Sequence, residues 1–476
     1  MRIMMTVPLL TLACSASPDL PGGRLASAKV TDTSGGEVSC ADAPEVTDAD
    51  VIVAAGAGPC FSSDLVRIVG DMLLTEDQWE PEELSCVCAI EGSLYINDNP
   101  ALSSGLPFSN LEELTGVLYI EDNPQLTTLE GLQNVDSVYS LRLVNLPALV
   151  DMDGLRGLED AGLSLRIEGT AASTQGLENL ETVFNLRLDD YQGTDLAGFT
   201  ALTAVNDLYV GNCPSLTSFT GMSALETMAS AQIGQNDALV DFTGLSSLTT
   251  VDGELYIVNN PVLTDLTGLA ALGSVGNLNI VQNPQLTSLD GLQVLSTVNR
   301  LTLDHNDQLA SLSALSTLTI VNYADLSYLP SLTSLTGLEG LTRARRNISL
   351  YNLEGLTDLT GLEGLTRAQG LSIRDLDGLE TLDGLDGLAT LTGALTIRDN
   401  AALERLDGAE ALRSVDDLRI LSNGVLVDVT ALHSLDEVTD DLTITGNTSL
   451  ATADAEALRD AIGAIGGTVT ISGNAP

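Results

Sequence analysis

One short pattern returns along almost the whole chain and limits what the chain can fold into. LYINDNP at 94–100 recurs as LYIEDNP at 118–124, LYVGNCP at 208–214 and LYIVNNP at 255–261. A repeat of this length predicts a solenoid in which each copy forms one coil. The first apolar residues of 16 copies lie 21 to 24 residues apart, at Leu94, Leu118, Leu141, Leu165, Leu186, Leu208, Ala231, Leu255, Leu278, Leu301, Ala324, Ile348, Leu371, Leu395, Leu418 and Leu442.

The spacing of apolar residues inside a copy predicts how the coil runs. We number positions from the first apolar residue of each copy, which is position 0. Apolar residues at positions 0 and 2 alternate as in a short strand. The later apolar residues, near positions 8, 11, 14, 17 and 20, recur every three residues, which fits neither a strand nor an α-helix. The rest of each coil is therefore expected to combine extended segments and tight turns.

Position 5 predicts a buried polar column. A short amide there can bond backbone groups of its own coil and the next, and a buried polar group without a partner costs about 1–3 kcal/mol. Cys213 stands at this position once and is expected to be buried and free, and Leu146, Leu329, Leu353 and Leu376 replace the amide elsewhere. We expect such mixed stacks to leave amides without partners. The asparagine ladder comprises Asn99, Asn123, Asn236, Asn260, Asn283, Asn306, Asn400, Asn423 and Asn447.

The composition shifts along the chain predict five segments. Residues 1–14 read as an export signal, 15–39 as a flexible tether, 40–93 as an N-terminal cap, 94–451 as the repeats and 452–476 as a C-terminal cap. The signal is too short to span a membrane. The last segment predicts a helix from 454 to 465 with Thr452 as its N-cap, followed by a strand from Val469.

Four cysteines in the N-terminal cap predict two disulfides, because exported repeat proteins commonly staple the segment that covers the first coil. Cys40, Cys60, Cys86 and Cys88 allow three pairings, and the sequence does not choose among them. The alternative is a metal site at Cys86 and Cys88. That alternative lacks a second such pair or a nearby histidine.

The end of the signal segment, LTLAC at 10–14, is similar to the lipobox of bacterial lipoproteins. The resemblance implies that Cys14 becomes a lipidated N-terminus, and Ser15 after it implies sorting to the outer membrane. Thr11 departs from the aliphatic residue usual in that motif. The alternative is an ordinary cleaved signal. Both imply a protein outside the cytoplasm, and the first implies one attached to the membrane only through its lipid.

The passage from the cap into the repeats, CVCAIEGSLYI at 86–96, resembles the receptor L domain, as does the turn GLAALGSV at 268–275. The resemblance covers about residues 86–474. It implies a mostly β protein, a right-handed parallel β-solenoid of leucine-rich-repeat type with about 16 coils, and ligand binding through solenoid surfaces. It does not imply signalling. The array is longer than one such module and looks more like extended bacterial lipoproteins built from this repeat.

The charge and the catalytic residue types exclude two function classes. There are 66 acidic residues against 19 Lys and Arg, a net charge of −47, which excludes nucleic acid as a natural partner. This acidity could reflect salty surroundings, a cation-binding surface or solubility. The two histidines, His305 and His433, fall at unrelated positions, and no catalytic motif is found, so we expect no enzyme. His305 is expected to be an exposed turn residue.

Aspartates in the turns offer a weak case for calcium, since carboxylates at one edge could hold Ca²⁺. The competing explanation is that Asp residues stabilise such turns unaided. They lack the dense regularity of known calcium-binding repeats, so we expect no metal or other cofactor. The residues concerned are Asp98, Asp122, Asp190, Asp304, Asp307, Asp375 and Asp399.

Position 1, the outward residue of each strand, carries the candidate binding site. Tyrosine and arginine recur there, and these types dominate binding hot spots. Their β-propensity alone is the competing explanation. Later repeats carry small polar residues, so we expect the aromatic and basic face in the N-terminal half of a monomer. The partner would be a protein or glycan, and the alternative is a structural or spacer protein of the cell envelope. The candidate strip is Tyr95, Tyr119, Arg142, Arg166, Arg187, Tyr209 and Tyr256.

Overall fold

The computed structural model of the chain describes residues 39–46, 50–53, 60, 65–75 and 84–476. The export signal with Cys14 and the tether up to residue 38 lie outside the described residues. The described residues comprise the repeats, the C-terminal segment and parts of the N-terminal cap.

One long ladder of parallel strands forms the main sheet, which we call the face sheet. In the repeats, position 0 of each copy pairs with position 0 of the next, as Leu94 with Leu118 and Leu118 with Leu141. Its strands are Asp50–Val53, Asp71–Thr75, Leu94–Asn97, Val117–Glu121, Ser140–Val144, Ser164–Glu168, Asn185–Asp189, Ala204–Gly211, Thr227–Gly234, Thr250–Val258, Ser274–Val281, Thr297–Asp304, Tyr323–Ser327, Asn347–Tyr351, Gly370–Arg374, Ala394–Arg398, Asp417–Leu421, Leu442–Thr445 and Val469–Ser472. The predicted β-solenoid is confirmed, with about 18 turns.

The ladder is longer than the 16 copies that the sequence shows. Asp50–Val53 and Asp71–Thr75 precede the first copy and pair in the same parallel register, Met72 beside Leu94. Val469–Ser472 follows the last copy and pairs with Leu442–Thr445. The segments at both ends thus continue the coil geometry of the repeats.

A second set of short strands precedes the face strands within their coils. Between Ala204 and Asp304 the two merge into single strands of eight or nine residues. In the coils of Ser140–Val144, Ser164–Glu168 and Asn185–Asp189 the second set is reduced to isolated bridges, and elsewhere it forms separate strands. These short strands are Glu45–Val46, Val66–Val69, Val87–Glu91, Glu113–Leu114, Ile320–Val321, Arg343–Ala344, Arg367–Ala368, Thr390–Leu391, Ser414–Val415, Glu437–Val438 and Ala464–Ile465. The described 3₁₀ helices are Cys40–Asp42, Asp153–Leu155, Ser313–Leu315 and Thr430–Ser434.

The core is a stack of aliphatic side chains that repeats coil by coil. In the coil that begins at Leu255, this residue and Ile257 point inward from the strand, and Leu263, Leu266 and Leu269 point inward from the turns, each at most 1% exposed. Nearly every coil repeats this arrangement. Each coil buries its apolar side only against its neighbours, so stability grows by adding adjacent coils.

The asparagines of position 5 are fully buried and bond in one direction along the solenoid. The side chain of Asn260 accepts the main-chain N–H of Asn236 at 3.3 Å and donates to the carbonyl oxygen of Ile233 at 3.2 Å. It also donates to Asn283 Oδ1 in the next coil at 3.2 Å. Each amide therefore serves backbone groups of the coil before it.

Because the bonding is directional, mixed stacks do not leave amides without partners, and the sequence expectation is wrong. Asn400 follows a leucine and still accepts the N–H of Leu376 at 3.1 Å. Asn123 precedes a leucine and turns its Nδ2 to the carbonyl oxygens of Ile96 and Glu121, at 2.7 and 2.8 Å. A run of asparagines can therefore start or stop beside an apolar coil.

The described cysteines form two disulfides and one free thiol. Cys40 bonds to Cys88 and Cys60 to Cys86, the pairing that the sequence left open. Cys213 is free and fully buried in the ladder, where its N–H donates to Asn236 Oδ1 at 3.1 Å. Burial raises the pKa of the Cys213 thiol to about 12, so it is protonated at neutral pH.

The C-terminal helix differs in detail from the prediction. It spans Thr452–Ala461, and Ala451 is the N-cap. The hydroxyl of Thr452 donates to the carbonyl oxygen of Ala475 at 2.7 Å, so it ties down the last residues instead of capping the helix. The helix packs on the last coil through Ala455 and Leu458, both fully buried.

Candidate binding surface

Seven aromatic and basic residues at position 1 form one column on the outward side of the face sheet. Tyr119 lies beside both Tyr95 and Arg142 in the register of neighbouring strands. Gln232 interrupts the column between Tyr209 and Tyr256. We call this column the N-terminal strip, which consists of Tyr95, Tyr119, Arg142, Arg166, Arg187, Tyr209, Gln232 and Tyr256.

The strip lies outside the core. Its residues are half-buried or exposed, while the position 0 and position 2 side chains that flank each of them are buried. This alternation follows from the strand, in which successive side chains point to opposite faces. The side chains of the strip are therefore available for contacts with another molecule.

Rings and guanidinium groups of the strip contact one another. The rings of Tyr95 and Tyr119 meet edge to face with centroids 6.1 Å apart. Arg142 lies over the ring of Tyr119 at 5.8 Å, and Arg187 over the ring of Tyr209 at 3.7 Å. Such cation–π pairs contribute about 0.5–1 kcal/mol at exposed sites and hold the rings in place.

Carboxylates two residues further along the same strands neutralise most of the strip. Tyr119 donates a hydrogen bond to Glu121, Arg166 pairs with Glu168, and Arg187 pairs with Asp189. Three carboxylates therefore face the three guanidinium groups of the strip, and this part of the face is close to neutral. The sequence reading missed them because it followed position 1 alone, whereas position 3 shares the same face.

Arg142 is the exception among the arginines of the strip. The residue two places further along its strand is Val144, not a carboxylate, and Arg142 makes no ion pair with any residue that the structure describes. Its guanidinium keeps its hydrogen-bond donors for another molecule. It lies in the middle of the strip, between Tyr119 and Arg166.

Three tyrosines of the strip, Tyr119, Tyr209 and Tyr256, remain hydrogen-bond donors over a wide pH range. Burial raises the pKa of Tyr119, Tyr209 and Tyr256, and nearby carboxylates raise it further. Those carboxylates are Glu121, Asp189 and Glu254, respectively. The phenol groups therefore stay protonated at neutral and mildly alkaline pH.

The C-terminal half also carries an aromatic and basic cluster, contrary to the sequence expectation. Arg300 lies 4.7 Å from the ring centroid of Tyr323 and 3.5 Å from the carboxylate of Asp325. Burial raises the pKa of Asp325, and Arg300 opposes that shift. Next to them is a groove of about 380 Å³ with small residues such as Ser349 and Ser372 in its lining. Arg300 and Tyr323 lie at position −1, whereas the sequence prediction of a binding site rested on position 1.

Most of the aspartates considered as calcium ligands share one turn position. Asp98, Asp122, Asp190, Asp375 and Asp399 all stand at position 4, with φ between 52° and 56°. This left-handed conformation suits Asp and Asn, as the turn explanation requires. Within the described residues, no three His, Cys, Asp or Glu side chains come together in a way that could hold a metal ion.

The two histidines have different surroundings. His433 is exposed in the 3₁₀ helix Thr430–Ser434. His305 is a turn residue as expected, with a side chain 45% exposed, but it also stacks on Tyr328 with ring centroids 4.1 Å apart.

None of the helices that the structure describes is long and apolar enough to cross a membrane.

Comparison with known proteins finds likeness only among solved structures. No family model and no curated protein matches the chain. An internalin from Listeria monocytogenes is 20% identical, over 63% of this chain and 86% of the internalin, with a TM-score of 0.31. A leucine-rich-repeat protein of Leptospira interrogans is 14% identical, over 85% of this chain and 89% of its own, with a TM-score of 0.30. The assignment of a leucine-rich-repeat type of solenoid rests on the repeat and the strand pairing described above.

Proposed function

We propose that this protein is a non-catalytic binding protein whose N-terminal strip holds a protein or glycan partner. The observation that supports this most is the continuity of the strip: seven Tyr and Arg side chains stand in one column outside the core. Solenoids offer extended surfaces of this kind for binding. The only described free thiol, Cys213, is buried and protonated, so no described cysteine offers a nucleophile.

The contacts within the strip divide the binding roles among its residues. Arg142 carries a guanidinium without an ion pair in the described chain and suits bidentate contact with a carboxylate of the partner. Tyr95 and Tyr256 offer rings for stacking on apolar groups or sugar rings. Arg166 and Arg187 are already paired with carboxylates and serve to position their neighbours.

The test compares two triple variants of the full chain in capture from cell-surface extracts. Replacing Tyr119, Arg166 and Tyr209 by serine should reduce the captured partner severalfold, with little change in the unfolding temperature, because surface pairs contribute only about 0–1 kcal/mol each. The matched control replaces Asn279, Thr302 and Thr396, which stand at position 1 of later coils, by serine.

Equal capture by both variants would place the binding site elsewhere. No capture by any form would favour a spacer role in the cell envelope. Unfolding of the strip variant would show that the strand register is displaced by one residue, since such a slip exchanges core and surface side chains. Adding Arg142→Ser to the strip variant should reduce capture further, because this guanidinium is not engaged by a carboxylate of the described chain.

We propose that the protein is anchored outside the cytoplasm, on the outer membrane or cell surface, by a lipid on Cys14. The LTLAC motif at 10–14 supports this. Labelled palmitate should enter the full chain and not the Cys14→Ser variant. Equal labelling of the two, or none of either, would contradict the anchor.

A further inference from the structure

A rim of turn residues runs along one side of the face sheet, at position 4 of the 16 repeats. All have the left-handed backbone conformation where they are not glycine, with φ from 50° to 61°. Asp, Asn and Gly adopt this conformation most readily. We call the stretch of this column from Asp190 to Tyr328 the turn rim, which consists of Asp190, Asn212, Gln235, Asn259, Gln282, His305 and Tyr328.

A groove follows the first five residues of the turn rim. It has a volume of about 570 Å³, and its lining alternates rim side chains with Pro214, Pro261 and Pro284. A second groove of about 380 Å³ adjoins it at Asp190. The grooves thus form one polar trough with proline surfaces, beside the turns and apart from position 1 of the face sheet.

Three carboxamides of the trough are available for a ligand. The side chains of Gln235, Asn259 and Gln282 are exposed and make no hydrogen bond with any described residue. A carboxamide offers two N–H donors and one carbonyl acceptor in a plane, which matches the paired hydroxyl groups of a sugar. The coils repeat every ~4.8 Å, so the carboxamides are regularly spaced along the trough.

An aromatic platform continues the rim directly beyond Gln282. His305 stacks on Tyr328 at 4.1 Å between centroids, and Tyr328 meets Tyr351 edge to face at 5.2 Å. The hydroxyl of Tyr328 donates to the hydroxyl of Tyr351 at 3.2 Å. Asp304 fixes the other side of the platform by pairing with His305 Nδ1 at 2.9 Å. Partly exposed rings are thereby held in a fixed arrangement.

The backbone of Tyr328 indicates that the platform is not a requirement of the fold. Its φ of 50° is uncommon for a bulky residue, whereas Asn352 fills the same position in the next coil with φ 52°. A non-glycine side chain in this conformation strains the backbone, and such residues cluster at functional sites. An asparagine would satisfy the turn at less strain, so the tyrosine provides something other than stability.

The charges of the trough select among ligands. The titratable side chains in the lining of the two grooves are Asp122, Asp190 and Asp237, and no Lys or Arg lines either groove. An anionic polymer would be repelled in this lining. An extended peptide would find no open strand edge here, because each strand that leads into the rim is already paired on both sides. A neutral sugar chain can use the carboxamides through its hydroxyl groups and the rings through its C–H faces.

From these observations we propose that the turn rim is a binding site for a neutral glycan chain, with the carboxamides of Gln235, Asn259 and Gln282 bonding its hydroxyl groups and the rings of His305 and Tyr328 stacking on a pyranose. The site is distinct from the N-terminal strip. Six coil steps separate Asp190 from Tyr328, on the order of 30 Å, so the chain would contain several sugar units.

Calorimetric titration of the full chain with hexasaccharides at 0.15 M NaCl tests the site. The neutral probes are cellohexaose, xylohexaose, maltohexaose and N-acetylchitohexaose, and a heparin hexasaccharide is the anionic probe. We expect at least one neutral probe to bind and the heparin probe not to bind. Tyr328→Asn should weaken the binding at least about fivefold through loss of stacking, without lowering the unfolding temperature.

Two controls separate this proposal from the previous one. Tyr139→Ser removes an exposed ring, 56% exposed, that lies on neither surface and should leave the affinity unchanged. The serine triple variant of the N-terminal strip should also bind the probe as wild type does. The proposal is overturned if no neutral hexasaccharide binds, if the heparin probe binds as tightly, or if Tyr328→Asn binds with wild-type affinity.

Discussion

Two neighbouring groups of coils fill the same buried position in opposite ways. From Asn236 to Asn306, four successive coils place an amide at position 5, and each amide bonds to the coil before it. In the next three coils, Leu329, Leu353 and Leu376 occupy this position and are equally buried. The leucines offer no acceptor to the preceding N–H, and they contribute apolar packing instead.

The comparison shows that position 5 accepts either an amide or an aliphatic side chain, provided that neighbouring coils carry the same type. An amide depends on a partner in the coil before it and offers one to the coil after it, so it gains most within a run. At the first of these leucine coils the long strands divide into two short ones, which continue to the C-terminal coils, and Tyr328 enters the turn rim. The change of ladder therefore coincides with a change of surface.

Breaking the amide run in its middle should have the largest effect. Asn260→Leu removes the acceptor of two buried donors, the main-chain N–H and the Nδ2 of Asn236, and the donor to Ile233 O. We expect the free energy of unfolding to fall by about 3–5 kcal/mol, since each buried group left unpaired costs about 1–3 kcal/mol. Urea unfolding followed by circular dichroism measures it. A loss below about 1 kcal/mol would show that the ladder is dispensable.

Replacing a glycine in the turn of an amide coil should have the second-largest effect on stability. Gly268 has φ 111°, and a Cβ there would collide with the carbonyl oxygen of Phe242. Gly268→Ala should cost about 2–4 kcal/mol. At the same position of the coil before the leucines, Ala314 is accommodated in the 3₁₀ helix Ser313–Leu315, so Ala314→Gly should cost only about 1 kcal/mol in the same assay. Equal losses at the two positions would contradict this account of the turn.

The reciprocal exchange in the apolar run should have a smaller effect. Leu353→Asn loses about 1.5–3 kcal/mol of apolar burial, but its amide can reach the N–H of Leu329 and the carbonyl oxygen of Leu326, as Asn400 reaches their counterparts. We expect a net loss of about 1–2 kcal/mol in thermal or urea unfolding. A loss larger than that of Asn260→Leu would mean that the apolar run tolerates exchange at position 5 less well than the amide run does.

The start of the amide run predicts a pH effect of similar or smaller size. The pKa of Cys213 is raised from 9 to about 12 by burial, so the native state keeps its proton while the unfolded state loses it above pH 9. The stability of wild type relative to Cys213→Ala should thus be constant below pH 9 and fall as pH rises toward 12, by about 1.4 kcal/mol at pH 10. A flat difference up to pH 11 would contradict the burial of this thiol.

Much of the fold could be predicted because single residue types recur at fixed positions of the repeat. Leucine at position 0 and asparagine at position 5 mark most of the coils, and every predicted origin pairs with the next. The strands at Asp50–Val53 and Asp71–Thr75 were missed because their coils have neither leucine at position 0 nor asparagine at position 5. Tyr191 was also missed in the ladder, where it is fully buried and its hydroxyl donates to Asp195 O at 3.0 Å. A ring at an amide position has no sequence precedent in the other coils.

The binding surfaces were harder to predict because a surface combines several positions of a coil. Position 1 identified the residues of the N-terminal strip, but not the carboxylates at position 3 that pair with Arg166 and Arg187. His305, Tyr328 and Tyr351 stand at positions 4, 4 and 3 of three coils. Only the backbone conformation of the turns brings these rings together. The disulfide pairing depends in the same way on chain paths that spacing does not reveal.

The central claim is that buried positions 0, 2 and 5 carry the fold, while position 1 is free to bind. Thiol alkylation of three single variants tests it most directly: Leu255→Cys, Tyr256→Cys and Ile257→Cys, in three consecutive positions of one strand. Native Cys213 is an internal reference for a buried thiol. Under native conditions, iodoacetamide should react quickly at position 256 and slowly at 255 and 257. Fast reaction at 255 or 257 with slow reaction at 256 would contradict the account.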